Sequence, residues 1–236
     1  MEELEKEFKK HSSQPRWSHL FFVGKSPESV DTLHEESARY DDILHFDVIE
    51  SYLNNTLKVL AVYEWVRTRC PNAFYLLKVD NDVYVNVRRV LQETKGFASL
   101  PGNIYSFYGF QESTPWVKRN KTLKQYVPCD IYPFQKFQFE YVYGFATLLT
   151  LPLIEDVHSV AMCIRGIFID DLYLSGYIPH ILGANIHNWT SLNANTVIKK
   201  LPNISWSLIE NSTITPELTI DEIQRIHQEK LQSLHS

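Results

Sequence analysis

The sequence predicts an α/β fold, and two observations carry that prediction. Apolar runs of strand length alternate with segments of helical periodicity through the first hundred residues. The run at residues 74–79 then delivers two carboxylates, Asp80 and Asp82, to its carboxyl end. In open α/β sheets that is the edge at which ligands bind.

In chain order, residues 1–11 read as a short charged helix and residues 18–23 as a strand closed by Gly24. Pro27 at a first helical position opens a helix to about Tyr40, with Val30, Leu33 and Ser37 inward. Asp41 and Asp42 break it, and residues 43–48 form a second strand. Residues 52–69 place Leu53, Leu57, Leu60, Ala61 and Trp65 at helical spacing, with Pro71 just past the stop. The Asp80 strand follows, then a helix over 87–94. Strand and helix alternating in this way imply right-handed crossovers and a mostly parallel central sheet flanked by helices.

The second half changes character. Residues 103–110 and 139–149 are aromatic-rich strands separated by a basic loop around Lys118, Arg119, Asn120 and Lys121. Residues 151–164 read as a helix with Pro152 in its first turn. An apolar run at 167–169 leads into Asp170 and Asp171. Residues 185–215, rich in Asn, Ser and Thr, read as surface loop, and Thr219 with Glu222 forms a capping box for a last helix to about Leu231. No internal repeat or Pro/Gly-rich linker divides the chain, so a single domain over 1–236 is expected.

Composition narrows the function. A net charge of −5 over 236 residues, without a basic stripe, argues against nucleic acid. No apolar run reaches the roughly 18–20 residues of a spanning helix, and the charged start lacks the apolar centre of a signal peptide. Five Asn-x-Ser/Thr triplets begin at Asn54, Asn120, Asn188, Asn203 and Asn211, where about one or two are expected by chance. They point to a secretory-pathway history. Cys70, Cys129 and Cys163 are too few for a disulfide scaffold; three thiols, or one disulfide and a leftover, both remain open.

Two acidic clusters carry the candidate chemistry. Asp80 and Asp82 are spaced to share a face and could converge on one hard cation, although Asp and Asn also favour plain turns. Asp170 and Asp171 could supply a general base or simply start a helix. His180 and His187 could add a metal ligand or be ordinary core histidines. Tyr105, Phe107, Tyr108 and Trp116 could stack on a sugar or fill the core.

Three blocks of residues resemble a known family. The first runs over 36–86 and includes Tyr40-Asp41-Asp42-Ile43-Leu44, Cys70-Pro71-Asn72-Ala73 and Leu77-Lys78-Val79-Asp80-Asn81-Asp82-Val83-Tyr84-Val85-Asn86. The second joins Tyr126-Val127-Pro128 and Tyr132-Pro133 to Tyr143-Gly144-Phe145, and the third is Ile169-Asp170-Asp171-Leu172-Tyr173. Their order and spacing resemble the β-1,3-galactosyltransferase and β-1,3-N-acetylglucosaminyltransferase family, glycosyltransferase family 31. The resemblance implies a GT-A-like nucleotide-sugar transferase fold, with a nucleotide-sugar half at 18–100 and an acceptor half with the C-terminal helix at 101–236. It implies a UDP-galactose or UDP-N-acetylglucosamine donor, a glycan acceptor on glycoprotein or glycolipid, a Mn²⁺ or Mg²⁺ ion, and inversion at the anomeric centre. It also implies a preceding membrane anchor and a lumenal position at the Golgi membrane.

Carried over residue by residue, the resemblance makes Asp82 the direct metal ligand with Asp80 beside it. Lys78, Asp80, Asn81, Asp82 and Gly144 would bind the donor. Asp171, in preference to Asp170, would be the catalytic base. The chain departs from the family in lacking its usual first strand, in Val142 where a second glycine usually stands, and in Ser175 where another glycine is usual. Val142 is expected to crowd a backbone approach to donor or acceptor. With the missing strand it supports a rival reading, a catalytically impaired relative that binds sugar or nucleotide. Retention of Asp80, Asp82 and Asp171 opposes that rival.

Overall fold

A computed structural model describes residues 17–26, 30–98, 103–112, 116–164, 166–191, 212–216 and 218–235. The expected helix at 1–11, Pro27, the triplet at Asn203, and Asn211 itself lie outside them. The chain divides into two compact units, residues 1–50 and 51–236.

In the first unit, β1 (Phe21–Lys25) and β2 (Ile43–Ile49) pair in parallel and are joined by α1 (Val30–Tyr40). This is the crossover that the alternation predicts. Phe22 and Phe46 stack across the two strands with ring centroids 5.5 Å apart. A Cβ at position 24 would come within 2.4 Å of the Val48 carbonyl oxygen, so this close approach requires Gly24. Asp41 takes a left-handed conformation, φ 52°, and turns the chain from α1 into β2.

The second unit opens with a 3-10 turn (Tyr52–Asn54) that runs into α2 (Asn55–Arg69). It continues through β3 (Tyr75–Val79), β4 (Tyr84–Val85), α3 (Val87–Phe97), a 3-10 turn (Asn103–Tyr105), β5 (Ser106–Glu112), β6 (Tyr141–Thr150) and α4 (Leu151–Ala161). Then α5 (Asp170–Leu172) passes through a π-helical turn (Tyr173–Tyr177) into α6 (Ile178–Leu182). β7 (Asn185–Asn188), β8 (Ile214–Thr215) and α7 (Ile220–His235) complete it.

The main sheet has the order β3-β6-β5-β7. β3 and β5 run antiparallel to β6, while β5 and β7 are parallel. The pairing is therefore mixed where the strand–helix alternation implies a mostly parallel sheet. The reason is β6: it arrives from a long loop rather than a helical crossover, so it can lie antiparallel between β3 and β5. From Ala146 to Thr150 this central strand is buried at every residue, as expected for a strand covered on both faces. Phe107, Tyr108, Leu148 and Leu149 from the sheet, Leu153, Ile154 and Val157 from α4, and Val59, Tyr63 and Val66 from α2 supply much of the buried core. This arrangement is consistent with a GT-A-like α/β fold.

Two local expectations change. Leu60 is buried as expected, but Leu53 and Leu57 are exposed, and α2 buries Thr56, Val59, Val62, Tyr63 and Val66 beside Leu60. With apolar residues on both sides of that helix, periodicity alone did not fix its rotation. Thr56 Oγ1 donates to the Phe168 carbonyl at 2.9 Å and holds the apolar run before Asp170 against α2. The expected loop at 185–215 contains β7, β8 and the buried Trp189 and Thr213. Glu93 of α3 gathers these polar residues: it accepts from Trp189 Nε1, from Ser191 Oγ at 2.6 Å and from Thr213 Oγ1 at 2.7 Å. The capping box forms as predicted, with Thr219 N–H donating to Glu222 at 2.9 Å. All three cysteines are free thiols, two of them exposed. Among the described residues, no helix is long and apolar enough to cross a membrane.

Candidate active site

β3 stops at Val79 because Asp80-Asn81-Asp82 turns the chain. Asp80 N–H donates to the Phe145 carbonyl at 3.0 Å, and Leu218 N–H donates to the Asp82 carbonyl at 2.9 Å, so both ends of the turn are held. Asp80, Asn81 and Asp82 are all exposed there. Of the two bottom-up readings of Asp-x-Asp, the turn is what the backbone forms here, with both carboxylates exposed on it.

Lys78 points from β3 into the centre of the site. Its ammonium donates to the Gly144 carbonyl at 2.6 Å and to Asp80 Oδ1 at 2.9 Å, and it lies 3.6 Å from Asp170 Oδ2. Burial works against its charge, but the carboxylates of Asp170, Asp80 and Asp171 outweigh it and raise the pKa above the ordinary lysine value. Gly144 of β6 faces the same centre: its carbonyl takes Lys78, and its N–H lies 3.3 Å from Asp171 Oδ2.

Asp171 stands at the start of α5, with Oδ1 accepting from Leu172 N–H at 2.9 Å. Burial raises its pKa to about 6, and the neighbouring Asp170 adds to the rise. The two backbone N–H groups and Lys78 pull the other way without cancelling it. A carboxyl poised near neutrality is what a general base needs.

Lys78, Asp80, Gly144, Asp170 and Asp171, predicted from three separated blocks, are therefore joined by direct contacts. Asn81 and Asp82 flank them, exposed in the same turn. The tyrosines around the acid pair were missed. Burial, then Asp171 and Asp170, pushes the Tyr52 hydroxyl up to about 12. Tyr143, hydrogen-bonded to Glu112 at 2.9 Å, is likewise raised to about 12, first by burial. Tyr141 is also raised, first by burial and then by Tyr143. In the sequence they stand only as a Tyr-rich run at 141–143 and a tyrosine at the start of the segment 52–69.

Val142, expected to crowd the site, is fully buried, and its bulk fills the space over Gly109. A Cβ on Gly109 would come within 2.8 Å of Val142 Cβ, so β5 has a glycine where β6 has the larger residue. Ser175, the other departure, is buried with Oγ 2.7 Å from both the Val142 and Asp171 carbonyl oxygens. His187 is a core histidine: it stacks on Tyr108 at 4.8 Å, its Nε2 lies 3.3 Å from Ser106 Oγ, and burial lowers its pKa.

The fit to a divalent cation rests on the donor set. Asp80 and Asp82 offer hard carboxylate oxygens on an exposed turn. Among the described residues, no group of three or more His, Cys, Asp or Glu forms a cage. Two carboxylates of this kind match the way Mg²⁺ is usually held, through one or two carboxylates with phosphate oxygens and water completing its shell.

The comparisons with known proteins identify the family. The model of the Galactosyltransferase family matches residues 5–190, so it spans both acidic clusters. The chain is 30% identical over 142 residues to β-1,3-galactosyltransferase 2 of Mus musculus, covering 60% of this chain and 33% of the relative. It is 28% identical over 181 residues to UDP-GalNAc:β-1,3-N-acetylgalactosaminyltransferase 1 of Homo sapiens, covering 71% of this chain and 51% of the relative. The chain thus spans about a third to a half of the length of these curated relatives. A solved glycosyltransferase involved in the glycosylation of the major capsid of PBCV-1 covers 91% of this chain and all of its own. Its TM-score of 0.40 and 12% identity are too low to carry an argument. With the family match covering most of its length, the chain belongs to the Galactosyltransferase family.

Proposed function

We propose that this chain carries the site of an inverting β-1,3-hexosyltransferase that moves galactose or N-acetylglucosamine from a UDP-sugar to a glycan acceptor. The observation that supports this most is the placement of Asp171, a half-buried carboxyl with its pKa raised to about 6, next to Asp170, which Lys78 links to the exposed Asp80 turn. Above that pH Asp171 is ionised and takes the proton of the acceptor hydroxyl as its oxygen attacks the anomeric carbon. Gly144 N–H and Leu172 N–H fix both carboxylate oxygens, so the base is oriented before the acceptor arrives. Lys78 keeps the charges of Asp80 and Asp170 balanced in the space between the two clusters. Asp82, with Asp80, would hold a Mn²⁺ or Mg²⁺ ion that neutralises the charge developing on the diphosphate leaving group. Asn81, Lys78 and Gly144 complete the proposed donor side. The relatives' printed names support the β-1,3 linkage, and the family resemblance supports a lumenal position at the Golgi membrane.

The test is UDP release from UDP-galactose and UDP-N-acetylglucosamine in the presence of a glycoprotein with trimmed glycans. Asp171→Asn is expected to lower the rate by about 10²–10⁴-fold while donor affinity stays within about twofold. A variant as fast as wild type would remove Asp171 from the base role.

A further inference from the structure

Of the five Asn-x-Ser/Thr triplets in the sequence, those at Asn54, Asn120 and Asn188 lie wholly within the described residues, and the structure separates them. In Asn54-Asn55-Thr56 the first residue is half-buried at the start of α2. The Thr56 hydroxyl is buried and committed to the Phe168 carbonyl at 2.9 Å. In Asn188-Trp189-Thr190, Asn188 is the last residue of β7, its Oδ1 accepts from Gln111 N–H at 3.2 Å, and Trp189 is buried.

Asn188 and Thr190 are themselves exposed, but they flank the buried Trp189, and Asn120-Lys121-Thr122 lacks such a buried middle residue. All three residues are exposed. Asn120 Oδ1 accepts from Thr122 N–H at 3.0 Å and from Thr122 Oγ1 at 2.9 Å, so the hydroxyl at the third position already engages the carboxamide of the first. Both bonds fall on the amide oxygen, not on the nitrogen. The loop's base is fastened: Val127 N–H donates to the Lys118 carbonyl at 3.0 Å, and the Arg119 guanidinium donates to the carbonyls of Val127, Tyr132 and Phe134. Its tip, Asn120 to Lys124, stays in solvent. A large hydrophilic group there would displace only water.

We infer that Asn120 is an N-glycosylation site; the inference rests on the lumenal placement in the proposed function. The nitrogen Nδ2 forms a bond to the anomeric carbon of a lipid-diphosphate-linked oligosaccharide. The bond from that carbon to the phosphate oxygen breaks, the lipid diphosphate leaves with its electron pair, and the amide proton passes to a base of the transferring enzyme. The glycan would stand four residues from Lys124, whose ammonium lies over the Tyr52 ring at 5.2 Å, and so at the rim of the candidate site.

The experiment expresses the chain in cultured eukaryotic cells behind a cleavable secretion signal. A C-terminal Gly/Ser tag carries one unstructured triplet as an internal control. Peptide-N-glycosidase in ¹⁸O-water converts each glycan-bearing Asn to ¹⁸O-labelled Asp, and peptide mass spectrometry reads every position. The tag and Asn120 are expected to carry the label in most molecules, with Asn54 and Asn188 below Asn120. Asn120→Gln and Thr122→Ala are expected to abolish the label at this loop, and Thr122→Ser to keep it. A labelled tag beside an unlabelled Asn120, or Asn54 and Asn188 labelled above it, would overturn the inference. The readout needs no transferase activity, so failure here and failure of the transferase reading are told apart.

Discussion

The Ser175 hydroxyl lies 2.7 Å from the Val142 carbonyl oxygen, so the two residues that depart from the family's glycines meet in space. The same hydroxyl lies 2.7 Å from the Asp171 carbonyl oxygen, at the start of the π-helical turn. With one proton it donates to one carbonyl at a time, and both oxygens converge on it. The π-helical turn that follows Asp171 is thereby fastened to the strand that carries Gly144. Val142 in turn occupies the space that Gly109 leaves open.

Ser175→Ala is expected to lower stability by about 1–2 kcal/mol, the cost of a lost buried hydrogen bond, measured by urea denaturation. Ser175→Gly and Val142→Gly are expected to be non-additive by at least about 0.5 kcal/mol in a double-mutant cycle, as contacting residues usually are. An additive cycle would show that the two departures are independent.

Asp171 makes stability depend on pH. Its carboxyl ionises near 3.8 in the ordinary case and near 6 in the folded chain. Between those values the unfolded chain has released a proton that the native state still holds, so stability falls as pH rises and levels off above about 6. Asp171→Asn removes that slope. From pH 4 to pH 7 the stability difference is expected to move in the variant's favour by on the order of 1–2 kcal/mol. Parallel pH–stability curves for the two proteins would contradict the raised pKa.

Lys78 is expected to set the base's midpoint. Its charge is among the influences holding the Asp171 pKa down, so Lys78→Met should move that midpoint above about 6. The Gly144 amide, which donates to Asp171 at 3.3 Å, provides an NMR reporter of the titration. An unchanged or lower midpoint would uncouple the two residues.

Glu93 joins β7 and β8 to α3 through Trp189, Ser191 and Thr213. Glu93→Ala leaves these donors without their shared acceptor and is expected to cost about 2–4 kcal/mol. Hydrogen exchange should show the loss of protection concentrated in residues 185–191 and 212–215. A uniform loss across the sheet would mean that Glu93 supports the core generally.

Asp80, Lys78 and the Asp170-Asp171 pair were singled out by the family resemblance, because on spacing alone the first acidic cluster reads equally as a turn and the second as a helix start. The sheet's pairing was less legible, because β6 reaches its place between β3 and β5 through a loop whose path no local pattern encodes. Polarity hid the order after Asn185: Ser191 and Thr213 look solvated until Glu93, some hundred residues away, supplies an acceptor. Tyr52 was overlooked for a similar reason, since its importance lies in facing Asp171, a neighbour distant in sequence. Val142 misled because its partner, Gly109, is on another strand.

The central claim is that the exposed Asp80 turn is a metal-dependent UDP-sugar site. Calorimetric titration of UDP-galactose and UDP-N-acetylglucosamine, with Mn²⁺ and with chelator, tests it most directly. At least one donor is expected to bind tenfold or more tightly with Mn²⁺, and Asp82→Ala is expected to erase that gain. Equal binding of both donors with and without metal, or a gain that survives Asp82→Ala, would contradict it.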